Sequence, residues 1–598
     1  MKNIIYTSQT RLNFDIDHLI NMGIDIAYVS PYNANNEVLL PSQIIFQNLE
    51  ILAQKAELAS KRGLKVYPFF ITINHPEGNF EIPAAYRRQQ NIDGSERSDF
   101  ICFRDRRRQD EMISYAAKSA QLGFERLAFD DDLRDAFCYC DAHLKGFEPF
   151  NKMTRPQIEM ILNSPIDHPE HEQLRLAWYQ YKYAGLKEYA TRLAKTVHDI
   201  NPYCRIGICN SAKRCQDFSG RNPSQWLDLF STDTAPAFIR LCGECYDDNL
   251  MHLIQSTGWH NYFNSVFKHV EERMLEITYV TSIGYRSPGN IAAETKSVFA
   301  ATKNPRVHWC WTEDFPAIGL DSEVKTLKND LNDLNEKLGS ESDSPLCLFI
   351  GHDLGAYTPI NVTTRYGASH DPIATYNMVS LLGIPITMRS EIKSTDTCVI
   401  CSSYISREMA TQIDQHVCRG GKVILDSVAA RCYRIYGGSI EFQIKGPVPS
   451  QAFEKLHDGS NSTLIAQCPK DSIYLIDSQN GIDLWTAYDI FSKQTGATCS
   501  AFNYGNGQLI VLGYDLSLAA RALATLQWRK NLIKLFEYAH VAIPAFWTAD
   551  LAVQCFMYDK QVVLVNWNSN RVSGGLNWNN NMIDINLEPH EIRVISTP

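Results

Sequence analysis

The stretch Arg126-Leu-Ala-Phe-Asp130-Asp131-Asp132-Leu-Arg134-Asp-Ala-Phe-Cys138-Tyr-Cys140-Asp-Ala-His143 runs an apolar strand straight into three carboxylates and then into closely spaced cysteines. In an extended chain Asp130 and Asp132 point one way and Asp131 the other, so at least one faces whatever lies at the strand's end. On either side, β-rich runs alternate with amphipathic helical stretches. The predicted strands are Asn3–Ser8, Ile24–Pro31, Lys65–Ile73, Arg126–Asp131, Arg205–Asn210, Ala237–Leu241, Glu276–Ser282 and Arg306–Trp311. Helical patterns such as Asn48–Arg62, Asp110–Leu122 and Leu174–Asp199 lie between them. Eight strands with crossover helices fit a closed (β/α)8 barrel over residues 1–340, with function at the C-terminal strand ends. The acidic run then follows the fourth strand.

Around Gly339–Ser344 the chain turns polar, as a linker does. A second α/β unit, residues 341–543, is expected next. Leu346–Ile350, Cys398–Cys401 and Lys422–Leu425 read as buried strands, with helices at Pro372–Leu382 and Arg407–Cys418 and a closing helix at Ser517–Tyr538. The pattern is flavodoxin-like or amidotransferase-like. Cys418 ends a helix instead of sitting on a tight strand-to-helix turn, so no amidotransferase chemistry is expected. Residues 544–598 alternate in short runs, Gln561–Trp567 and Met582–Leu587, broken by turn-rich Asn568–Gly575 and Asn579–Asn581. That predicts a small antiparallel β-sandwich.

At 598 residues the chain exceeds one hydrophobic core. A net charge of −10 argues against a nucleic-acid partner, which needs a basic face. The basic run Arg104-Asp105-Arg106-Arg107-Arg108 reads as a solvated helix start. The N-terminus lacks a signal-like apolar core, and no window approaches the ~18 apolar residues of a membrane span. A cytoplasmic protein is expected, with most of its 17 cysteines as reduced core thiols.

Crowded carboxylates raise one another's pKa, and a protonated acid is what general acid catalysis needs. The alternative for Asp130-Asp131-Asp132 is a solvated loop. Cys138-x-Cys140-x-x-His143 offers three preferred zinc ligands, and Cys102, just before the preceding helix, is a plausible fourth. The alternative is a set of buried thiols and an unrelated histidine.

An isolated cysteine, a helix, a strand ending in acids and then Cys-x-Cys-x-x-ligand resembles glycoside hydrolase family 42. The order of barrel, amidotransferase-like domain and small β-domain resembles it too. The resemblance implies a homotrimer and a structural Zn2+ at Cys102, Cys138, Cys140 and His143, with His143 where the family usually has Cys. It places the family's strand-four Asn-Glu pair, whose Glu is the acid/base, on Asp131-Asp132. It also implies a nucleophilic Glu at the end of strand seven. That region reads Ile277-Thr-Tyr-Val-Thr-Ser282-Ile-Gly284-Tyr285-Arg286, with no acid, and Glu276 falls at the N-terminal end of the expected strand.

A second carboxylate is needed about 5–5.5 Å from the acid for retention, or farther for inversion. His308-Trp309-Cys-Trp311-Thr-Glu313-Asp314 supplies acids beside tryptophans able to stack on sugar faces, or else core tryptophans and helix caps. Glu244-Cys-Tyr246-Asp247-Asp248 offers further acids. Other candidates at the mouth are Asn74-His75, Asn210, Arg240, Tyr285 and Arg286. The reading is a β-galactosidase-like glycoside hydrolase of a β-linked oligosaccharide or glycoside. Asp132, or Asp131, would be the proton donor and Glu313 the partner, with Asn210, Trp311, Asp314, Tyr285, Arg286 and Asp247 lining the substrate site. A barrel that binds sugar without catalysis, and a metal-dependent lyase or isomerase, are the alternatives.

Overall fold

The computed structural model describes residues 3–32, 39–71, 82–130, 133–210, 212–243, 247–278, 280–281, 284–339, 344–352, 354–364, 367–368, 371–448 and 451–596. Eight short strands rich in apolar side chains pair in parallel and close on themselves. They are β1 (Ile5–Arg11), β2 (Ile26–Ser30), β3 (Lys65–Phe70), β4 (Arg126–Phe129), β5 (Arg205–Cys209), β6 (Phe238–Leu241), β7 (Arg273–Ile277) and β8 (Arg306–Trp309). Each neighbours the next in chain order, and β8 returns to β1 with Ile5 opposite Arg306. The expected (β/α)8 barrel is therefore present.

At the N-terminal end of the barrel, Glu272 accepts from Arg126 at 2.5 Å and from Arg205 at 2.8 Å. These pairs tie the starts of β4 and β5 to the entry of β7, at the face of such barrels that serves stability. Helix α1 (Arg106–Gln121) is capped by Asp105, whose carboxylate accepts from Arg108 N. The basic run does open a helix, but only Arg106 and Arg107 are exposed; Arg108 is buried and pairs with Glu111 at 3.2 Å. The long helix α2 (Glu172–Ile200) runs alongside, held by Arg106 to Glu188 at 2.9 Å.

One strand departs from expectation, and the difference matters. The seventh strand is Arg273–Ile277, three residues earlier than the β-branched run suggested. Its charged residues are compatible with burial because each is satisfied internally. Arg273 donates to the carbonyls of Phe267 and Lys268. Glu276 meets a cation inside the barrel. Glu276 is thus next to last in β7, at its C-terminal end.

The chain packs as two compact units, 1–248 with 266–336, and 249–265 with 337–598. In the second, β9 (Leu346–Phe349), β10 (Thr387–Arg389), β11 (Cys398–Cys401), β12 (Lys422–Leu425), β13 (Ile482–Asp489), β14 (Gln494–Tyr504) and β15 (Gly507–Leu512) belong to one sheet in the order β10-β9-β11-β12-β15-β14-β13. The first five are parallel. Their order is the doubly wound, flavodoxin-like one that was expected. The single helix expected at Ser517–Tyr538 is instead two, α3 (Leu516–Leu523) and α4 (Leu526–Tyr538). Thr525 breaks it by accepting from Trp528 N at 3.1 Å as the N-cap of α4.

The C-terminal strands are β16 (Ala545–Trp547), β17 (Val553–Tyr558), β18 (Gln561–Asn566), β19 (Val572–Trp578), β20 (Asn581–Leu587) and β21 (Ile592–Ser596). They form two three-stranded sheets, β16-β19-β20 and β17-β18-β21. Trp547, Trp578 and Leu587 of one share a core with Val553, Val562 and Leu564 of the other, the predicted sandwich. Asn579 and Asn580, at φ 50° and 65°, make the two-residue hairpin turn. Gly574-Gly575, expected in a turn, lie within β19. A Cβ on Gly574 would come 2.2 Å from Ala549, so the glycine answers to packing.

Candidate active site and metal centre

Arg240, next to last in β6 and buried, is the hub of the barrel interior. Its Nη2 donates to Asp130 Oδ1 at 2.7 Å, and its Nε lies 3.2 Å from Glu276 Oε2. Its Nη1 donates to Gln9 Oε1 at 2.6 Å and approaches His308 Nε2 at 3.5 Å. Side chains from β1, β7, β8 and the end of β4 thus converge on one guanidinium. Burial lowers its pKa, but Cys209, Glu276 and Asp130 outweigh that and hold Arg240 well above the usual range. Asp130 and Glu276 are separated by no more than that guanidinium and its two contacts. An ion pair this deep needs satisfied geometry, because desolvation works against every charge in it.

The same network fixes a tautomer. Arg240 can only donate, so His308 Nε2 accepts, and the proton sits on Nδ1, 2.8 Å from Thr7 Oγ1. Burial, then Arg240, holds His308 well below the usual imidazole range, which keeps it neutral. Beside the network, Tyr28, Phe69, Gly207, Phe238 and Met274 line a small cavity.

The other expected site residues distribute as follows. Asp131 and Asp132 lie outside the described residues, directly after Asp130, as do Asn74, His75, Glu244 and Tyr246. Glu313 lies in the turn Thr312–Asp314 and Tyr285 in the short strand Gly284–Tyr285, both with side chains outside the described ones. Asn210 is buried at the end of β5, where its Oδ1 accepts from Cys242 N at 2.9 Å. Asp247, after β6, is half-buried. Arg286 is buried and committed to internal partners: Glu294 at 2.5 Å, the Thr278 carbonyl at 2.7 Å and Asp248 at 3.4 Å. Trp309 belongs to the core, packed edge-on against Tyr6 and Phe315. Trp311 follows β8 in the left-handed conformation at φ 53°, with the Arg11 guanidinium 5.0 Å over its ring. Asp314 holds Arg11 at 3.4 Å.

Below the acidic tip the four cysteine and histidine candidates meet. Cys102, Cys138, Cys140 and His143 are all buried, and their ligand atoms lie within 4.8 Å of one another. Cys140 Sγ is 3.2 Å from His143 Nδ1, and Cys102 Sγ is 3.7 Å from both. The opposite ring nitrogen, His143 Nε2, bonds the fully buried Asp135 at 2.6 Å. Metal-ligating histidines characteristically carry such a carboxylate, which sets tautomer and ring orientation. Asp135 is in turn paired with Arg104 at 3.5 Å, whose guanidinium also stacks 4.0 Å over Tyr181. The buried Lys182 lies over the Trp178 and Tyr139 rings and feels the charge of Asp135 and Cys138. A divalent ion on three thiolates, with one carboxylate and these two cations around it, would be electrically neutral. The donor set therefore fits a soft-ligand, four-coordinate metal. Asp135 escaped the sequence reading; its only signal was a carboxylate eight residues before His143.

This architecture is shared with solved structures along the whole chain. It matches the β-galactosidase from Bacillus circulans sp. alkalophilus at TM-score 0.70 and 13% identity, covering 100% of this chain and 99% of that one. It matches a catalytic variant of Gan42B, a GH42 β-galactosidase from G. stearothermophilus, at TM-score 0.68 and 12% identity, covering 100% and 98%. The fold is that of the GH42 β-galactosidases. An exo-β-1,4-mannosidase from Opitutaceae bacterium strain TAV5 is similar over 90% of this chain and 97% of its own, at TM-score 0.52 and 10% identity. At such identities the likeness is one of fold. No family model and no curated protein sequence matches the chain.

Proposed function

We propose that this GH42-like barrel is a β-glycosidase whose second carboxylate is Glu276. The observation that carries the reading is the position of Glu276, next to last in β7, across Arg240 from the carboxylate end of β4. Clan relatives resembling this chain use a strand-seven Glu as nucleophile, and Glu276 takes the place for which the sequence alone offers Glu313, with a non-catalytic sugar-binding barrel as an alternative. With Glu276 in place, Glu313 becomes a pocket residue in this proposal. Arg240 would hold the Glu276 carboxylate in place, as attack on the anomeric carbon requires. Asp132, two residues past Asp130, would protonate the glycosidic oxygen and later activate water. Trp311, Asp314, Asn210 and Asp247 would line the sugar site, with Trp311 offering a stacking face. Arg286, tied to Glu294 and Asp248, would set the loop after β7.

A panel of aryl β-glycosides, β-galactoside and β-mannoside first, tests this. Glu276→Gln should abolish turnover, and Asp132→Asn should cost about 10²–10⁴-fold. Turnover that survives Glu276→Gln but disappears with a chelator would end this reading in favour of metal-dependent lyase or isomerase chemistry. We further propose that Cys102, Cys138, Cys140 and His143 hold zinc in a structural role. The family resemblance adds a homotrimer, which a solution mass near three times the 67.9 kDa chain would support. Among the described residues no helix is long and apolar enough to cross a membrane.

A further inference from the structure

We propose that His168, Glu170 and His171 form a second metal site, taking a divalent transition-metal ion at the entry of α2. Their ligand atoms lie within 4.8 Å of one another. The cause is local: Pro169–His171 is a single 3-10 turn, in which residues three apart eclipse, so His168 and His171 share a face. Their ring centroids are 5.6 Å apart, and Glu170 reaches back to His168 Nδ1 at 3.0 Å.

Two features distinguish this from a chance surface grouping. The backbone that carries the ligands is braced from within. Buried Arg175 donates to the carbonyls of His168 at 3.1 Å, Ile161 at 3.3 Å and Pro165 at 3.4 Å, and His168 N donates to Ser164 O at 2.9 Å. In addition, His171 Nδ1 is shielded from solvent without a hydrogen-bond partner. Among the described residues no protein group competes for that nitrogen, so in the tautomer that carries the proton on Nε2 it is free to ligate a metal. Two imidazoles and one carboxylate suit Zn2+, Co2+, Ni2+ or Cu2+, whereas Ca2+ and Mg2+ prefer all-oxygen sets. Three protein ligands on a partly exposed turn leave further positions to solvent or to an incoming group. The donor set also differs from the thiolate cluster at Cys102, so the two sites are separable by spectroscopy.

The test uses the full chain, stripped of metal and titrated with Co2+, comparing wild type with His168→Gln/His171→Gln. The double variant should bind one equivalent fewer, or bind it about tenfold or more weakly. The missing equivalent should be the one whose spectrum lacks thiolate-to-cobalt charge transfer. Both proteins should melt at the same temperature in chelator, since the two rings are partly exposed. Equal stoichiometry and affinity in the two proteins would overturn the proposal, as would a wild type whose bound cobalt is entirely thiolate-ligated.

Discussion

Glu276 Oε2 lies 3.2 Å from Arg240 Nε, and that contact links the end of one barrel strand to the acid-bearing end of another, because Nη2 of the same guanidinium donates to Asp130 at 2.7 Å. One cation thus orients two carboxylates in an interior where neither could stay charged alone.

Replacing Arg240 therefore has two separable effects. Arg240→Met removes the cation that two buried carboxylates share and should destabilise the fold by about 3–5 kcal/mol in urea unfolding. Arg240→Lys keeps the charge but loses the fork that meets both acids at once. On the proposed glycosidase reading, the lysine variant should lose about 10²-fold in kcat with a much smaller change in KM. A lysine variant with wild-type kcat would show that Arg240 only fills the barrel.

Asp135 should tune whatever the thiolate cluster binds. Asp135→Asn keeps shape and one acceptor but removes the charge that fixes the His143 ring. Metal affinity, measured by competition with a chromophoric chelator, should fall about 10–100-fold. Unchanged affinity would mean that His143 is not a ligand.

In the second unit, Glu454 is fully buried, accepts from Thr498 at 2.5 Å and from the Tyr514 hydroxyl, and burial raises its carboxyl to about 7. In the unfolded chain the ordinary value is 4.5. Between those values the folded state keeps a proton the unfolded state has lost. Stability from this group is therefore complete below about pH 4.5, declines as pH rises and levels off above about 7. The total change is on the order of 3 kcal/mol. Glu454→Gln should flatten that slope and leave the variant relatively more stable at pH 8. Parallel wild-type and variant curves across this range would contradict it.

The parts legible in the sequence were those where one pattern had one meaning. Seven barrel strands read as short β-rich runs set between amphipathic helices. The cysteine spacing marked the cluster before any coordinates. Strand β7 was misread because Thr278 and the residues after it are better β-formers than Arg273 and Glu276, and a charge inside a strand looks like an end. The pairing with Arg240, on another strand 36 positions earlier, lets Glu276 be an interior residue. Long-range charge pairing leaves no periodic trace. The break at Thr525 was missed for a similar reason, since neither Gly nor Pro marks it and only the cap geometry does.

Trp311 offers the last test, because its backbone and its ring make different predictions. At φ 53° it occupies a conformation that costs a non-glycine residue of order 1 kcal/mol or more. Trp311→Gly removes the ring and the strain, and Trp311→Ala removes only the ring. If the surrounding chain imposes that backbone, the glycine variant should unfold at higher denaturant than the alanine variant, by about 1 kcal/mol. If the ring also stacks on substrate, as proposed, both variants should raise KM for aryl β-glycosides about two- to tenfold while kcat changes less. Trp311→Phe, which keeps a face beneath Arg11, should recover most of the KM. A KM unchanged in all three would remove Trp311 from the sugar site and leave it a packing residue held by Arg11 and Asp314.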